Sequence, residues 1–418
     1  MYVWLLQRNE PTPTDNDGKE RLLRTGIIAG LLADMGHDVL WWTSDFNHYK
    51  KVNRHGANHR QVVNDHYEIQ YLKSTGYKKN FSIFRVIANK AVASSFAQIA
   101  AKERRKPDLV IASLPTAELA WEGLLYARSK GIPFAVDVRD LWPDVIVDMT
   151  PKWAQIFVEA GLRSLTKLTK EVFTNADAII GLTPQFLDWG LAFANRPRTW
   201  RDAVVPMGYL VQDHIGPQKF LPSSLKSTAT SDRLRVVFAG ALGKGSDFEP
   251  LLEAVRISEE MDTPIEFFFC GSGDQEYYVR RKLEKLNHAH FLGWLESSEL
   301  TNLFASCDVG LLPYRDTGNY RKNMPNKPAE YLANGMVVGS SLSDGPLYSL
   351  ILRYDCGFSY FGSGSVLYDK LLELSLDPGL LLRAKASAKA AFYAELEGGK
   401  VYRSAIDHFE LLAKAGVK

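Results

Sequence analysis

YVWLLQ at residues 2–7, KERLLRTGIIAGLLADMGH at 19–37 and DVLWWT at 38–43 form one strand–helix–strand unit. The two flanking runs are short, with unbroken apolar centres YVWLL and VLWW, as strands buried on both faces of a sheet have. The middle run has apolar residues at helical spacing and ends at Gly36. The same alternation continues with strand candidates DLVIAS (108–113), PFAVDV (133–138) and DAIIGLT (177–183), separated by helical stretches. A strand–helix alternation of this kind predicts a parallel sheet covered by helices on both sides.

At 206–232, PMGYLVQDHIGPQKFLPSSLKSTATSD, the pattern breaks into prolines and small polar residues and reads as a linker. Alternation resumes with RLRVVFAGA (233–241), PIEFFFCGSG (264–273), AHFLGW (289–294), DVGLLPY (308–314) and MVVGSS (336–341), and the last 40 residues read as helical. The expected organisation is therefore α/β, with two Rossmann-like, doubly wound domains facing across a cleft. Residues 1–208 form the first domain, 209–232 a linker and 233–390 the second domain. A C-terminal helical segment at 391–418 is expected to pack back on the first domain. Ligands of such sheets sit at the carboxyl ends of the strands.

Composition narrows the function classes. The chain has 418 residues, 46% apolar and 23% charged, with a formal net charge of +2. Bulk charge gives no reason to expect nucleic acid as a partner, so any basic function is local. Cys270, Cys307 and Cys356 are too few and too scattered for a disulfide framework or a paired metal site. No basic leader precedes the opening apolar run, and no stretch of about 18 uncharged apolar residues exists. A cytoplasmic protein is expected, with peripheral attachment at the inner face of the cell membrane left open.

Four segments carry candidate chemistry. In MPNKPAEYLANG (324–335), Pro325 fixes the approach to a helix that Asn326 is expected to cap. Lys327 then lies in the first turn, where the helix end favours anions, and Glu330 lies one turn later on the same face. A diphosphate on Lys327 and ribose hydroxyls on Glu330 suit this pattern; a surface Lys–Glu pair is the plainer reading. GALGKGS (240–246), with Gly240, Gly243 and Lys244, follows a strand without being a Walker loop, and reads equally as a phosphate loop or an ordinary turn. CGSG (270–273) places Gly271 and Gly273 where a nucleotide can approach the backbone. DVRDLWPD (137–144) sets Arg139 and Asp140 at a strand's carboxyl end beside Trp142; a structural Arg–Asp cluster is the alternative. The acid pair Asp15 and Asp17 in DND is read as a helix start rather than a metal site.

Together these segments resemble the family 4 retaining glycosyltransferases of the GT-B fold. The resemblance covers nearly the whole chain, through DGKERLLRTGIIAGLLADMGHDVLWWTS, VVPMGY, VVFAGALGKG, FFFCGSGD, HFLGWLESSELTNLFASCDVGLLPY and PNKPAEYLANGMVVGSS. DVRDLWPD and PNKPAEYLANG look most like the subgroup found in O-antigen and capsule gene clusters, including fucosamine-type transferases. The resemblance implies sugar transfer from a nucleotide diphosphate, taken as UDP-linked, to a saccharide or polyprenyl-diphosphate-linked acceptor, with no metal or other cofactor. It implies Glu330 on the donor ribose, Lys327 near the diphosphate, and Gly271 and Gly273 beside base and ribose. It brings the Gly18 loop, with Arg21 behind it, to the phosphates, and Arg139 to the position where relatives place a histidine on the donor sugar. Two positions depart from the family: Lys322 replaces a second glutamate, and Ala241 replaces an arginine. Cationic charge for the diphosphate is thus expected from Lys244, Lys327, Arg321 or Lys322. A sugar-nucleotide epimerase of the same fold, or a non-catalytic nucleotide-sugar-binding scaffold, is the rival reading.

The stretch from Lys73 to Lys106 holds nine basic residues (Lys73, Lys78, Lys79, Arg85, Lys90, Lys102, Arg104, Arg105 and Lys106) against one acid, Glu103. Tyr77, Phe81, Ile83, Phe84, Val86 and Ile87 are interleaved with them. Such a mixture suits an anionic membrane surface, or a helix that packs its phenylalanines into the core.

Overall fold

A computed structural model of the protein describes residues 1–15, 21–78, 82–148, 150–211 and 233–417. The chain divides into two compact units, Met1–Pro206 with Tyr402–Lys418, and Met207–Val401. The expected linker falls largely on 212–232, outside the described residues. Its start is tied down: Tyr209 pairs in a bridge with Glu397, and its N–H donates to Leu396 O at 2.9 Å.

The first unit contains β1 (Tyr2–Leu6), β2 (Asp38–Ser44), β3 (Phe46–Asn47), β4 (Val52–Asn53), β5 (His59–Asn64), β6 (Tyr67–Leu72), β7 (Leu109–Leu114), β8 (Phe134–Val138), β9 (Ala178–Gly181) and β10 (Ala203–Val204). Eight of them form one sheet in the order β10-β9-β8-β7-β1-β2-β6-β5, parallel except for the β5–β6 edge, and β3 and β4 form a separate antiparallel pair. Side chains alternate across the sheet as strand geometry requires. On one face Trp4 stacks on Tyr126 at 4.6 Å and meets Trp42 at 4.8 Å, under helices Ile83–Ala100 and Ala117–Lys130. On the other, Leu5 and Ile111 line a small cavity with Ile28 of helix Arg24–Asp34 and Phe409 of helix Gly398–Ala415.

The second unit contains β11 (Leu234–Ala239), β12 (Ile265–Cys270), β13 (Ala289–Gly293), β14 (Val309–Leu312), β15 (Val337–Ser340) and β16 (Gly357–Ser359). They pair in parallel in the order β13-β12-β11-β14-β15-β16. The order reverses direction between β11 and β14, which is where doubly wound sheets open a crevice for ligands. Val237, Ala239, Phe268 and Cys270 face one core, and Val236, Phe238, Phe267 and Phe269 the other, so both faces are dry.

Several sequence expectations shift. The first helix begins at Arg24, not at 19, and residues 16–20 lie outside the described ones. The polar strand β5 escaped the periodicity reading because it is an exposed edge strand; β6, β10 and β16 were also missed. The C-terminal helical run is interrupted at Glu397, whose extended backbone (ψ 117°) starts a new helix and whose carboxylate accepts the N–H of Gly399 at 2.9 Å and of Lys400 at 2.6 Å.

Candidate functional site

In the second unit the donor-side candidates gather on the loops after β11, β12 and β14. Helix Asn326–Ala333 is fixed there by Tyr331, whose buried hydroxyl accepts the N–H of Ala239 at 3.0 Å. Its ring occupies the space over Gly310, where a Cβ would stand 2.3 Å away. This fastens the residue next to Glu330 to the end of β11. Glu330 is 2% exposed, and its Oε2 accepts Lys327 Nζ at 3.0 Å. Lys327 also lies 5.5 Å from the centre of the Phe304 ring. Cation and anion thus share the helix's first turns, as the spacing predicts. The cap differs: Pro325 holds the N-cap position with no side-chain hydrogen bond, and Asn326 is the first helical residue.

The β11 and β12 loops are bonded to each other. Gly240 N–H donates to Cys270 O at 3.0 Å, Leu242 N–H to Ser272 O at 2.9 Å, and Gln275 Nε2 to Gly243 O at 2.7 Å. This contact gives Gly271 and Gly273 a reason inside the protein. At Gly271 (φ 132°) a Cβ would lie 1.8 Å from Gly240 O, and at Gly273 (φ 151°) 2.6 Å from Leu242 O. Gly243, by contrast, faces open space, with nothing within 4 Å of a would-be Cβ. Lys244 is exposed beside it, and its carbonyl accepts Arg315 Nε at 2.9 Å. Arg321 forks onto Asp316, with Nη2 to Oδ2 at 2.6 Å, while Lys322 is exposed. Cys270 is buried below Lys327, and burial pushes its thiol up to about 12, making it an apolar wall and not a nucleophile.

In the first unit Arg139 joins an Arg–Asp cluster, the structural alternative that the sequence offered, with Glu10 and Arg24 as members it did not name. Its Nε donates to Asp137 Oδ2 at 2.7 Å and its Nη1 to Glu10 Oε1. Arg24 holds both oxygens of Asp137 at 3.2 Å and donates to Val205 O and Pro206 O at 2.9 Å. Glu10 Oε2 accepts the Thr25 N–H at 2.8 Å. Burial alone would raise the Asp137 carboxyl, but Arg24 and Arg139 outweigh it and hold it below the usual range. Asp140 is half-buried in the turn where its carbonyl accepts the Trp142 N–H at 2.8 Å, and Asp144 accepts Trp189 Nε1 at 2.8 Å.

Asp15 stands in a 3-10 turn at the end of a described segment, and residues 16–20 after it lie outside the described ones. It takes Arg54 through both oxygens, at 2.7 and 2.6 Å, and accepts the Thr12 N–H at 2.8 Å. Asp17 and Gly18 lie outside the described residues; Arg21 is half-buried. Among the described residues no cluster of three His, Cys, Asp or Glu side chains could hold a metal ion, and no helix is long and apolar enough to cross a membrane. In the basic stretch, Phe96 is buried but Ile83 and Phe84 are 66% and 64% exposed; Lys79 and Phe81 lie outside the described residues. Arg8, two residues past β1, and Lys51 escaped the sequence reading. The same strand-end rule that singled out Arg139 points to Arg8.

Comparison with known proteins places this geometry. Residues 233–351, which include all the donor-side candidates of the second unit, match the family model "Glycosyl transferases group 1". No curated protein sequence matches the chain. Among solved structures, sucrose-phosphate synthase from Thermosynechococcus elongatus superposes with TM-score 0.74 at 15% identity, covering 99% of each chain. HepE from Anabaena, in complex with UDP, gives 0.66 at 14% identity, covering 98% of this chain and 100% of its own. WaaG, a glycosyltransferase involved in lipopolysaccharide biosynthesis, gives 0.65 at 14% identity, covering 97% and 99%. Identities this low speak for fold alone. The chain has the α/β GT-B fold, and its residues 233–351 match the glycosyl transferases group 1 model.

Proposed function

We propose that the protein is a retaining glycosyltransferase that moves a sugar from a nucleotide diphosphate, UDP-linked by preference, to a saccharide or polyprenyl-diphosphate-linked acceptor in surface polysaccharide synthesis. The observation that carries the reading is the Lys327–Glu330 pair at the reversal point of the second sheet, inside the matched domain. The neighbour's complex with UDP supports the choice of nucleotide.

In this reading the donor diphosphate takes Lys327 and the amides of the first turn of helix Asn326–Ala333, and the Glu330 carboxylate accepts the two ribose hydroxyls. The acceptor oxygen bonds to the anomeric carbon while the bond from that carbon to the β-phosphate oxygen breaks. The electron pair leaves on the nucleoside diphosphate, which also takes the acceptor's proton. Attack and departure share one face, so configuration is retained. Lys327 and the helix amides stabilise the charge that builds on the leaving phosphate, and electrostatic stabilisation of this kind commonly lowers the barrier more than any other effect. Metal independence belongs to the same proposal. Arg139 serves here by holding the Asp137–Glu10–Arg24 network.

Peripheral binding to an anionic membrane through 73–106 is proposed with it, supported by Ile83, Phe84, Val86 and Ile87, which are exposed among Lys78 and Lys90. The test is a panel of UDP- and GDP-sugars read by thermal stabilisation, followed by product analysis. A stabilising donor that yields an elongated acceptor and free nucleoside diphosphate supports transfer. An altered sugar released without acceptor indicates an epimerase, and tight binding without turnover a scaffold.

A further inference from the structure

Arg8 stands two residues beyond the carboxyl end of β1, where the strand order of the first sheet reverses between β1 and β7. Its side chain is 2% exposed. Nη1 donates to Asn89 Oδ1, while Nε and Nη2 are buried without a hydrogen-bond partner among the described residues. No described carboxylate forms an ion pair with it. Glu118, an acid whose charge reaches Arg8, is bonded to Asn89 instead, whose Nδ2 donates to Glu118 Oε2 at 3.4 Å. A buried guanidinium with two idle donors is costly to maintain, and proteins keep such groups where a ligand completes them.

The surroundings add positive charge. Arg8, Lys51 and Arg85 approach the ring of Tyr77 at 5.8, 4.7 and 5.8 Å from its centre, and His48 Nδ1 lies 2.6 Å from the Tyr77 hydroxyl. Burial first, and then the neighbouring Arg85, bring the Arg8 guanidinium down to about 10; burial with Lys51, Arg85 and Arg8 brings His48 down to about 3. The cluster is therefore three cations around a neutral imidazole and an aromatic ring. Cation–π contact with Tyr77 holds the cluster together, and an anion would complete the two idle nitrogens of Arg8. Arg85 also lies 5.1 Å from the Trp142 ring centre and belongs to the first turn of helix Ile83–Ala100. On that turn and the next, Ile83, Phe84, Val86 and Ile87 are exposed. A ligand that meets both features has an anionic head and an alkyl chain.

We infer that Arg8, Lys51 and Arg85 bind the diphosphate of a lipid-linked acceptor, with its chain against Ile83, Phe84 and Ile87. The inference rests on the transfer reading only for the word acceptor; the diphosphate site is testable without any transfer. Calorimetry of the full chain with inorganic pyrophosphate, with farnesyl diphosphate in mild detergent and with UDP separates the sources. Farnesyl diphosphate is expected to bind at least tenfold tighter than pyrophosphate. Arg8→Met and Lys51→Gln should each weaken both by tenfold or more and leave UDP binding unchanged. Phe84→Ser should cut the farnesyl advantage and spare pyrophosphate. Because Arg8→Met removes an uncompensated buried charge, the ligand-free variant should melt no lower than the wild type, which separates lost binding from lost folding. Arg8-dependent farnesyl diphosphate binding supports the site even where no nucleotide sugar binds and the transfer reading fails. Pyrophosphate binding as tight as farnesyl diphosphate overturns the lipid-linked source. Wild-type protein that takes UDP but neither diphosphate, or an Arg8→Met variant that binds both normally, overturns the site.

Discussion

The α-carbon of Gly271 lies against the carbonyl of Gly240, so close that a Cβ would stand 1.8 Å from the oxygen. The backbone at Gly271 also has φ 132°, a conformation side chains disfavour. Gly271→Ala should therefore cost more than about 2 kcal/mol through strain at a special backbone position, visible as a drop in Tm of several degrees. Gly243→Ala meets nothing and should leave Tm within about 1 °C, yet weaken donor binding if the β11 loop receives phosphate. Equal Tm losses for the two would contradict this division of roles.

Glu330→Ala deletes the carboxylate assigned to the donor ribose and leaves Lys327 without its partner at 3.0 Å. UDP affinity should fall by roughly 1.5–3 kcal/mol, about ten- to a hundredfold, as measured by calorimetry. Glu330→Gln, which still accepts one hydrogen bond, should fall between. Unchanged affinity and turnover in both variants would remove Glu330 from the donor grip.

Turnover should persist in excess chelator, because the leaving diphosphate is assigned to Lys327 and helix amides. The check is nucleoside diphosphate release before and after chelation, with manganese and magnesium added back. A strict metal requirement abolished by Asp15→Ala would instead return the DND acids to the site.

Acid stability follows from the buried pairs. Asp137 and Asp15 both titrate below their ordinary value of 3.8: burial raises each, and the arginines beside them lower it by more. A depressed carboxyl contributes stability above its unfolded value and loses it as pH falls through the folded one. Thermal unfolding should be insensitive to these groups near neutrality and should weaken progressively below about pH 4. Asp137→Asn should lower stability at pH 7 by about 3–5 kcal/mol, since Arg24 and Arg139 stay buried, and should flatten the acid dependence.

Membrane attachment is checked by co-sedimentation with vesicles of phosphatidylglycerol and phosphatidylcholine. Binding should require the anionic lipid and weaken as salt rises. Changing Ile83 and Phe84 together to serine should reduce binding at low salt without lowering Tm, because both side chains are already in solvent. Indifference to anionic vesicles at low salt rules the attachment out.

What the sequence determined by itself was the set of buried parallel strands and one local pair. Strands such as YVWLL and IEFFFC are dry on both faces, so their composition announces them. Lys327 and Glu330 are three residues apart on one helix, so their meeting is a matter of helical pitch. The exposed strand β5 carried no such signal. Tertiary structure decided the rest. Arg24 reaches Asp137 across 113 positions, Arg8 reaches Asn89 across 81, and Asp15 reaches Arg54 across 39. Strand order, not spacing, sets these partners. For the same reason Arg139 became part of a buried network, Gly271 a contact between two loops, and Arg8 a cation with idle donors: long-range packing fixes which charge is compensated, and no local pattern encodes it.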